Sequence, residues 1–238
     1  LGFAGTKLPS GRGISFIDVP GHVRFLKNML AGVGGVDACI FVVAATEGWK
    51  PQSEEHLRIL SLLGIRHGIV ALTKVGHVDD ELATIAQMEI ADRTEGTFLA
   101  DAPIVPVDAI EGHGIDDLNT ALDQLLDVTP TARDDKKPRL WIDRVFAAKG
   151  AGTVVTGTLT GGMMRVEDEL SVLPQHAAVR VRALQSQYAD RTKVGPGNRV
   201  AANLSGVSHD QLRRGDVLVR PDDWHVTRTV DASLRVLE

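Results

Sequence analysis

The sequence predicts an α/β domain built on a parallel sheet, followed by a small all-β barrel. Three observations predict it. Between residues 14 and 126, apolar strand-like runs alternate with stretches of helical period, the pattern of a parallel sheet covered by helices. Beyond residue 138, short strand-like runs are separated by Gly-rich turns such as GTLTGG and VGPGN, the pattern of a small barrel. The charge also changes sign: residues 1–135 carry a net −10 and residues 136–222 a net +6. A basic block behind an acidic one suggests two domains. The basic one is either a surface for a polyanion such as RNA or a solvated face with an excess of cations.

In chain order, Ile14–Val19 reads as a strand and Val23–Ala31 as a helix with Phe25, Leu26, Met29 and Leu30 on one face. Ala38–Ala44 is a buried, β-branched strand. Pro51 suits the first turn of a helix that carries Leu57, Leu60 and Leu63 toward Gly64, a natural stop. His67–Leu72 is the next strand, and Asp79 to about Ala91 an amphipathic helix. Ile104–Val107 is a short strand, and Ile115–Leu126 a helix with Leu118, Leu122 and Leu125 in register. The segment 127–138, DVTPTARDDKKP, has no periodicity and reads as a linker. Barrel strands follow at 140–146, 152–159, 169–173, 179–187, 199–204 and 216–219. Thr227–Leu237, after Trp224, reads as the first strand of a further domain. The expected division is 1–130, a linker 131–138, a barrel 139–222, and the start of a second barrel at 223–238.

Composition narrows the class. Of 238 residues, 43% are hydrophobic and 24% charged, with a net charge of −5, which is ordinary for a soluble protein. No apolar run reaches the ~18 residues that span a bilayer, and no signal peptide opens the chain. The single cysteine, Cys39, allows neither an internal disulfide nor a cysteine metal cluster, which fits a reducing cytoplasm. The chain opens on Leu1, which reads as a fragment.

Three predicted strand ends carry polar residues, and in an open α/β sheet that edge is where ligands bind. DVPGH, 18–22, offers an acid that can hold Mg²⁺ through water and a glycine N–H that can face a terminal phosphate. His22 is placed to orient an attacking water, or is a turn histidine. ALTK, 71–74, ends in Thr73 and Lys74, whose stem can lie along a purine. VPVDAIEGHGI, 105–115, ends a third strand in a Gly-punctuated loop, which alone reads as an ordinary connection. In the barrel, KGAG at 149–152 is a tight turn, and Asp143-Arg144 reads either as a polar patch or as a structural ion pair. The phosphate-cradling pattern G-x-x-x-x-G-K-[ST] occurs nowhere, and Gly5-Thr6-Lys7 does not fit it.

Together, DVPGH, FLKNML, AATEGWKPQSEEH at 44–56 and Thr73-Lys74 resemble the GTP-binding domain of translation elongation factors. IDRVFAAKGAGTVVTGTL resembles the second domain of the same factors. LGFAGTKLPSGRGISFIDVPGH, KGAGTVVTGT and VRVRALQSQ are most similar to the selenocysteine-specific branch. The resemblance spans essentially the whole chain. It implies a P-loop-type GTPase domain, truncated at its N-terminus, followed by a translation-factor β-barrel. The implied function is GTP-dependent delivery of selenocysteinyl-tRNA to the ribosome, with GTP/GDP and Mg²⁺ as cofactors, by a cytoplasmic monomer. A selenoprotein mRNA hairpin would be read by a C-terminal region outside these residues. The alternatives are a general aminoacyl-tRNA elongation factor, or a GTPase-impaired fragment acting only as a tRNA-binding module.

By position, the resemblance implies that Asp18, Pro20 and Gly21 form the Mg²⁺ and γ-phosphate motif. It makes His22 the residue that positions water. Thr73 and Lys74 fall in the guanine-recognition motif, and Asp108-Ala109 in the loop that backs the base. Asp143, Arg144 and Arg199 line the pocket for the selenocysteinyl group. A selenol ionises more readily than a hydroxyl, so a cationic pocket would favour selenolate over serine. The chain departs from the family in four places: the phosphate loop is missing, Gly76 stands where the family has Asp, Asp108 where it usually has Ser, and Val23 where it has Glu. Losing the acid at 76 removes charge-assisted bonds worth ~1.5–3 kcal/mol each, which weakens guanine selectivity.

Overall fold

The computed structural model describes residues 2–19, 36–148, 150 and 152–233. The chain divides between Thr131 and Ala132 into two units.

In the first unit, β1 (Gly2–Lys7) and β2 (Gly13–Asp18) form an antiparallel hairpin. β3 (Cys39–Ala44), β4 (Gly68–Thr73) and β5 (Ile104–Val107) form a parallel sheet in the order β3-β4-β5. Helices α1 (Pro51–Leu62), α2 (Asp80–Thr94) and α3 (Ile115–Val128) connect and follow them. The central strand is buried on both sides, which is why GIVALT shows a continuous apolar run and no alternation. Val70 and Leu72 face a core shared with Leu57, Leu60 and Ile90 of α1 and α2, while Ile69 and Ala71 face Leu122 and Leu125 of α3.

The helix boundaries have local causes. Pro51 opens α1, and Ser53 Oγ accepts the N–H of Lys50 at 3.3 Å. Gly64, at φ +81, stands just past its end. Asp79 caps α2 by accepting the Leu82 N–H at 2.8 Å. Leu63 is exposed rather than continuing the apolar face of α1, because the helix stops at Leu62.

One expectation is corrected here. Residues 14–18 do not hydrogen-bond to the parallel sheet; they pair with β1, which the sequence reading did not place. GFAGTK is rich in small residues and low in strand propensity, so its strand character comes from its partner. The hairpin docks through Leu8, Ile14 and Phe16 onto the α3-side core. Ser10 bonds to Asp123, and Arg12 pairs with Asp127 of α3. The expected helix at 23–31 lies outside the described residues. Cys39 is half-buried, and burial pushes its thiol up to about 12.

The second unit is a closed barrel. β6 (Arg139–Ala148), β7 (Gly152–Thr160), β9 (Glu169–Leu173), β10 (Ala177–Ser186), β13 (Arg199–Ser205) and β14 (Val217–Val219) pair in the cyclic order β10-β13-β7-β6-β14-β9-β10. β8 (Met164–Arg165) pairs with β12 (Lys193–Val194), and β11 (Ala189–Arg191) extends β10 as a hairpin. Closure removes the open sheet edge, and Leu140, Val155, Leu159, Val181, Val200 and Leu218 fill the interior. Gly157 allows β7 to lie against β6, since a Cβ there would meet Trp141 O at 2.1 Å.

Part of 127–138 is structured. α3 runs to Val128, and the N–H groups of Asp135 and Lys137 donate to Gly161 O. These bonds go to a distant turn, so they leave no periodic trace in the sequence. Trp224 packs on Leu173, Val217 and Val219, under the guanidinium of Arg139 at 4.6 Å. Residues 227–233 form no strand, and 234–238 lie outside the described residues. Thr227 Oγ bonds locally instead, donating to Thr229 O at 2.8 Å and accepting the Thr229 N–H at 3.2 Å.

Candidate functional site

The parallel sheet brings three strand ends to one edge. After β3, the chain turns through Ala45 to Gly48, with Glu47 and Gly48 N–H donating to Ala44 O. Phe41 and Trp49 stack with ring centroids 5.5 Å apart, and the backbone N–H of Trp49 donates to Glu89 Oε2 at 3.1 Å. After β4, Thr73 Oγ donates to Val43 O at 3.3 Å, and Lys74 takes a left-handed φ of 59°. This turns its ammonium to Glu47, 3.3 Å away. Both side chains are about half exposed, so the pair is screened.

After β5, Asp108 is 3% exposed. Its Oδ1 accepts the N–H groups of Ile110 at 3.0 Å and Glu111 at 3.3 Å, and its own N–H donates to His113 O. Backbone N–H donation, from Glu111 foremost and also from Ile110 and Gly76, holds its carboxyl below the usual carboxylate range, and nearby His77 adds to this. A Cβ built on Gly76 would lie 2.8 Å from Asp108 Oδ2 and 3.5 Å from Glu111 Oε2. The two departures noted in the sequence are therefore neighbours in space. Ala109 follows on the exposed rim of the same loop.

Thr73, Lys74, Asp108 and Ala109 thus share one edge, since Thr73 pairs with Val107 in register. Asp18 lies exposed at the end of β2, opposite Gly2. It is a hard oxygen donor of the kind a water-mediated Mg²⁺ uses. Pro20, Gly21 and His22 lie outside the described residues. No group of three or more His, Cys, Asp or Glu able to hold a metal is found among the described residues.

The barrel holds a second cluster. Arg199 meets Asp143 with both of its terminal nitrogens: Nη1 on Oδ2, and Nη2 on Oδ1 at 2.9 Å. Thr156 Oγ donates to Asp143 Oδ1 at 2.6 Å and accepts from Arg199 Nη2 at 3.1 Å. A bulge between Ile142 and Arg144 makes this possible. Leu140 and Ile142 face inward before it and Val145 after it, so Asp143 is turned out of the alternation onto Thr156 and Arg199. Arg144 lies exposed beside it. The two alternatives left open for Asp143-Arg144 therefore separate: Asp143 is in an ion pair, but with Arg199. Sequence reading missed Thr156, whose only signal is its place among the alternating threonines of TVVTGTLT. It also missed Glu47 and Glu111, which lie within recognisable motifs but carry no chemical mark of their own.

The architecture defines a class: an α/β nucleotide-binding-type unit with polar strand ends, followed by a closed six-stranded barrel. Residues 6–128 match the family described as the elongation factor Tu GTP binding domain. The chain belongs to that family. It is 42% identical over 237 residues to the selenocysteine-specific elongation factor of Desulfomicrobium baculatum, covering 100% of this chain and 37% of that protein. It superposes on the crystal structure of the bacterial selenocysteine-specific elongation factor EF-Sec with a TM-score of 0.89 and 37% identity, covering 94% of this chain and 38% of that one. On the Methanococcus maripaludis factor SelB in complex with the GTP analogue GppNHp, the TM-score is 0.87 at 32% identity, covering 93% of this chain and 49% of that one. The chain therefore spans about two-fifths of the length of the first two. Among the described residues, no helix is long and apolar enough to cross a membrane.

Proposed function

We propose that this chain is the nucleotide-binding and aminoacyl-binding part of a GTPase that delivers selenocysteinyl-tRNA to the ribosome. The observation that carries the reading is the similarity to selenocysteine-specific factors along the whole chain, through the α/β unit and the barrel alike. A switch that couples nucleotide state to a carried ligand needs both parts.

In this reading, residues 1–130 bind GTP or GDP, 131–138 link, 139–222 hold the aminoacyl end, and 223–238 begin a further domain. Thr73 and Lys74 flank the base, while Asp108-Ala109 back it. Asp18 would help to hold Mg²⁺, which would supply charge neutralisation at the phosphates. Pro20, Gly21 and His22 lie outside the described residues; by resemblance Pro20 and Gly21 would belong to the γ-phosphate motif and His22 would be its water-positioning residue. In the barrel, Arg144 and Arg199 supply positive charge for a selenolate, and Asp143 with Thr156 fixes the plane of the Arg199 guanidinium. A fixed fork of donors favours an anion over a neutral hydroxyl by charge-assisted bonding.

The test is competition. Nucleotide selectivity is read first, by displacing a fluorescent GDP from the chain with GDP and with ADP. A preference for GDP of at least about tenfold is expected; equal displacement overturns the nucleotide reading. Binding of selenocysteinyl-tRNA against seryl-tRNA to the longest available form is read second. Equal affinities would leave a general aminoacyl-tRNA factor.

A further inference from the structure

We propose that the segment leaving the barrel clasps the segment entering it, and so confines the free joint between α3 and the barrel to residues 130–134. The inference goes beyond the functional reading above and does not depend on what either unit binds.

Both ends of the linker are pinned. On the side of α3, the N–H and the hydroxyl of Thr129 donate to Leu125 O at 3.0 and 2.7 Å. On the barrel side, the N–H groups of Asp135 and Lys137 donate to Gly161 O at 3.0 and 2.9 Å. Gly161 and Gly162 let the chain lie this close: a Cβ at 161 would meet Lys137 O at 2.7 Å, and one at 162 would meet Pro138 N at 2.5 Å. Between these anchors, residues 130–134 make no backbone hydrogen bond among the described residues. Hinges are a few loop residues free to change φ and ψ, and these meet that condition.

The exit segment supplies a second hold on the entry. After β14, Arg220 Nη1 donates to Lys136 O at 2.9 Å, across 84 positions of sequence. Lys136 stands at φ +61, a left-handed conformation that a residue with a side chain keeps only where its surroundings fix it. Further along, Trp224 covers Leu173, Val217 and Val219, and the Arg139 guanidinium lies 4.6 Å from the centre of its ring. Thr160 holds Arg139 in turn: its Oγ accepts from Arg139 Nε at 3.4 Å and donates to Arg139 O at 3.1 Å. The contacts are reciprocal. Arg220 of the exit grips the entry, and Arg139 of the entry grips Trp224 of the exit. A charged donor on a carbonyl and a cation on an indole are each stronger than a neutral contact. Any rotation of the barrel about residues 130–134 then carries its entry and exit together, and the chain after Trp224 starts from a fixed point on the barrel.

Amide hydrogen exchange, resolved residue by residue by NMR in the full 238-residue chain, tests both parts. In the unaltered chain, the N–H groups of Asp135 and Lys137 should be protected at least about tenfold more than those of Arg133 and Asp134. Arg220→Gln and Trp224→Leu should each lower the protection of Asp135 and Lys137 by about threefold or more, and the double variant by about tenfold or more. The Leu159 N–H, bonded to Asn198 O in the barrel wall, should stay within about twofold. Arg180→Gln, which breaks a surface pair with Glu169, should leave Asp135 and Lys137 unchanged. Equal protection from 133 to 137 in the unaltered chain overturns the joint. Unchanged protection of Asp135 and Lys137 in the double variant overturns the clasp. A matching loss at Leu159 means that the exit segment supports the whole barrel and not its entry, and overturns the clasp as well.

Discussion

In the barrel, charged side chains find each other. Asp143 and Arg199 come from β6 and β13 and share Thr156 of β7, so three strands are tied by one cluster with only 19% and 21% side-chain exposure on the ion pair. In the α/β unit, the polar groups at the strand ends are held differently. Asp108 is gripped by backbone N–H groups, and the Lys74–Glu47 pair stands half in water. The barrel closes its sheet edge on itself and pairs Asp143 with Arg199, while Arg144 beside them stays exposed. The parallel sheet instead directs three polar ends to one edge, the place where α/β folds accept ligands. The contrast teaches that a closed sheet can tie its strands with a charge pair, while the strand ends of the open one hold polar groups by backbone bonds and a screened pair.

The sharpest way to break the contrast is to fill the glycine that each unit depends on. A Cβ at Gly157 would meet Trp141 O at 2.1 Å, and one at Gly114, at φ +70, would meet Pro106 O at 2.0 Å. Gly157→Ala and Gly114→Ala should each cost about 3 kcal/mol or more in denaturant unfolding. Gly64→Ala, with nothing within 4 Å of the new Cβ but φ +81, should cost only about 1 kcal/mol.

Next in size is the barrel cluster. Asp143→Ala leaves the Arg199 guanidinium without its bidentate partner and should destabilise by roughly 2–3 kcal/mol. Replacing both with the neutral pair Asp143→Asn/Arg199→Gln should recover part of that loss in a double-mutant cycle. No recovery would mean the cluster acts through packing and not through charge.

Asp108 gives a pH test. Its folded pKa is depressed, so its contribution is present above the unfolded carboxylate value near 3.9 and is lost as pH falls through the lower folded value. Thermal midpoints of the unaltered chain and Asp108→Asn should therefore differ at pH 7 and converge toward pH 2. A constant gap would mean that the charge is irrelevant there.

The smallest effect belongs to Lys74 and Glu47. Lys74→Met should change stability by less than about 1 kcal/mol, because the pair is screened. A larger loss would show that the left-handed turn at Lys74 depends on the pair.

Much of this was legible in the residues. Pro51, Asp79 and Gly64 mark helix ends because their effects act within one turn of chain. The continuous apolar run of β4 and the alternation in β7 report burial on two faces and on one. The motifs located Thr73, Lys74 and Asp108 at strand ends. The hairpin of β1 with β2 was not legible, since GFAGTK has little strand preference of its own. The partner of Asp143 was not legible either, because a bulge shifts the alternation and Arg199 lies 56 positions away.

By itself, the sequence determined the alternation of strands and helices from Cys39 to Val128, the two-part division of charge and the polar residues that end β4 and β5, all of which depend on near neighbours or on composition. Only the tertiary structure decided that a side chain at position 76 would crowd the Asp108 carboxylate, and that Arg199 answers Asp143. Those are contacts between segments far apart in the chain, and steric exclusion and charge pairing act through space.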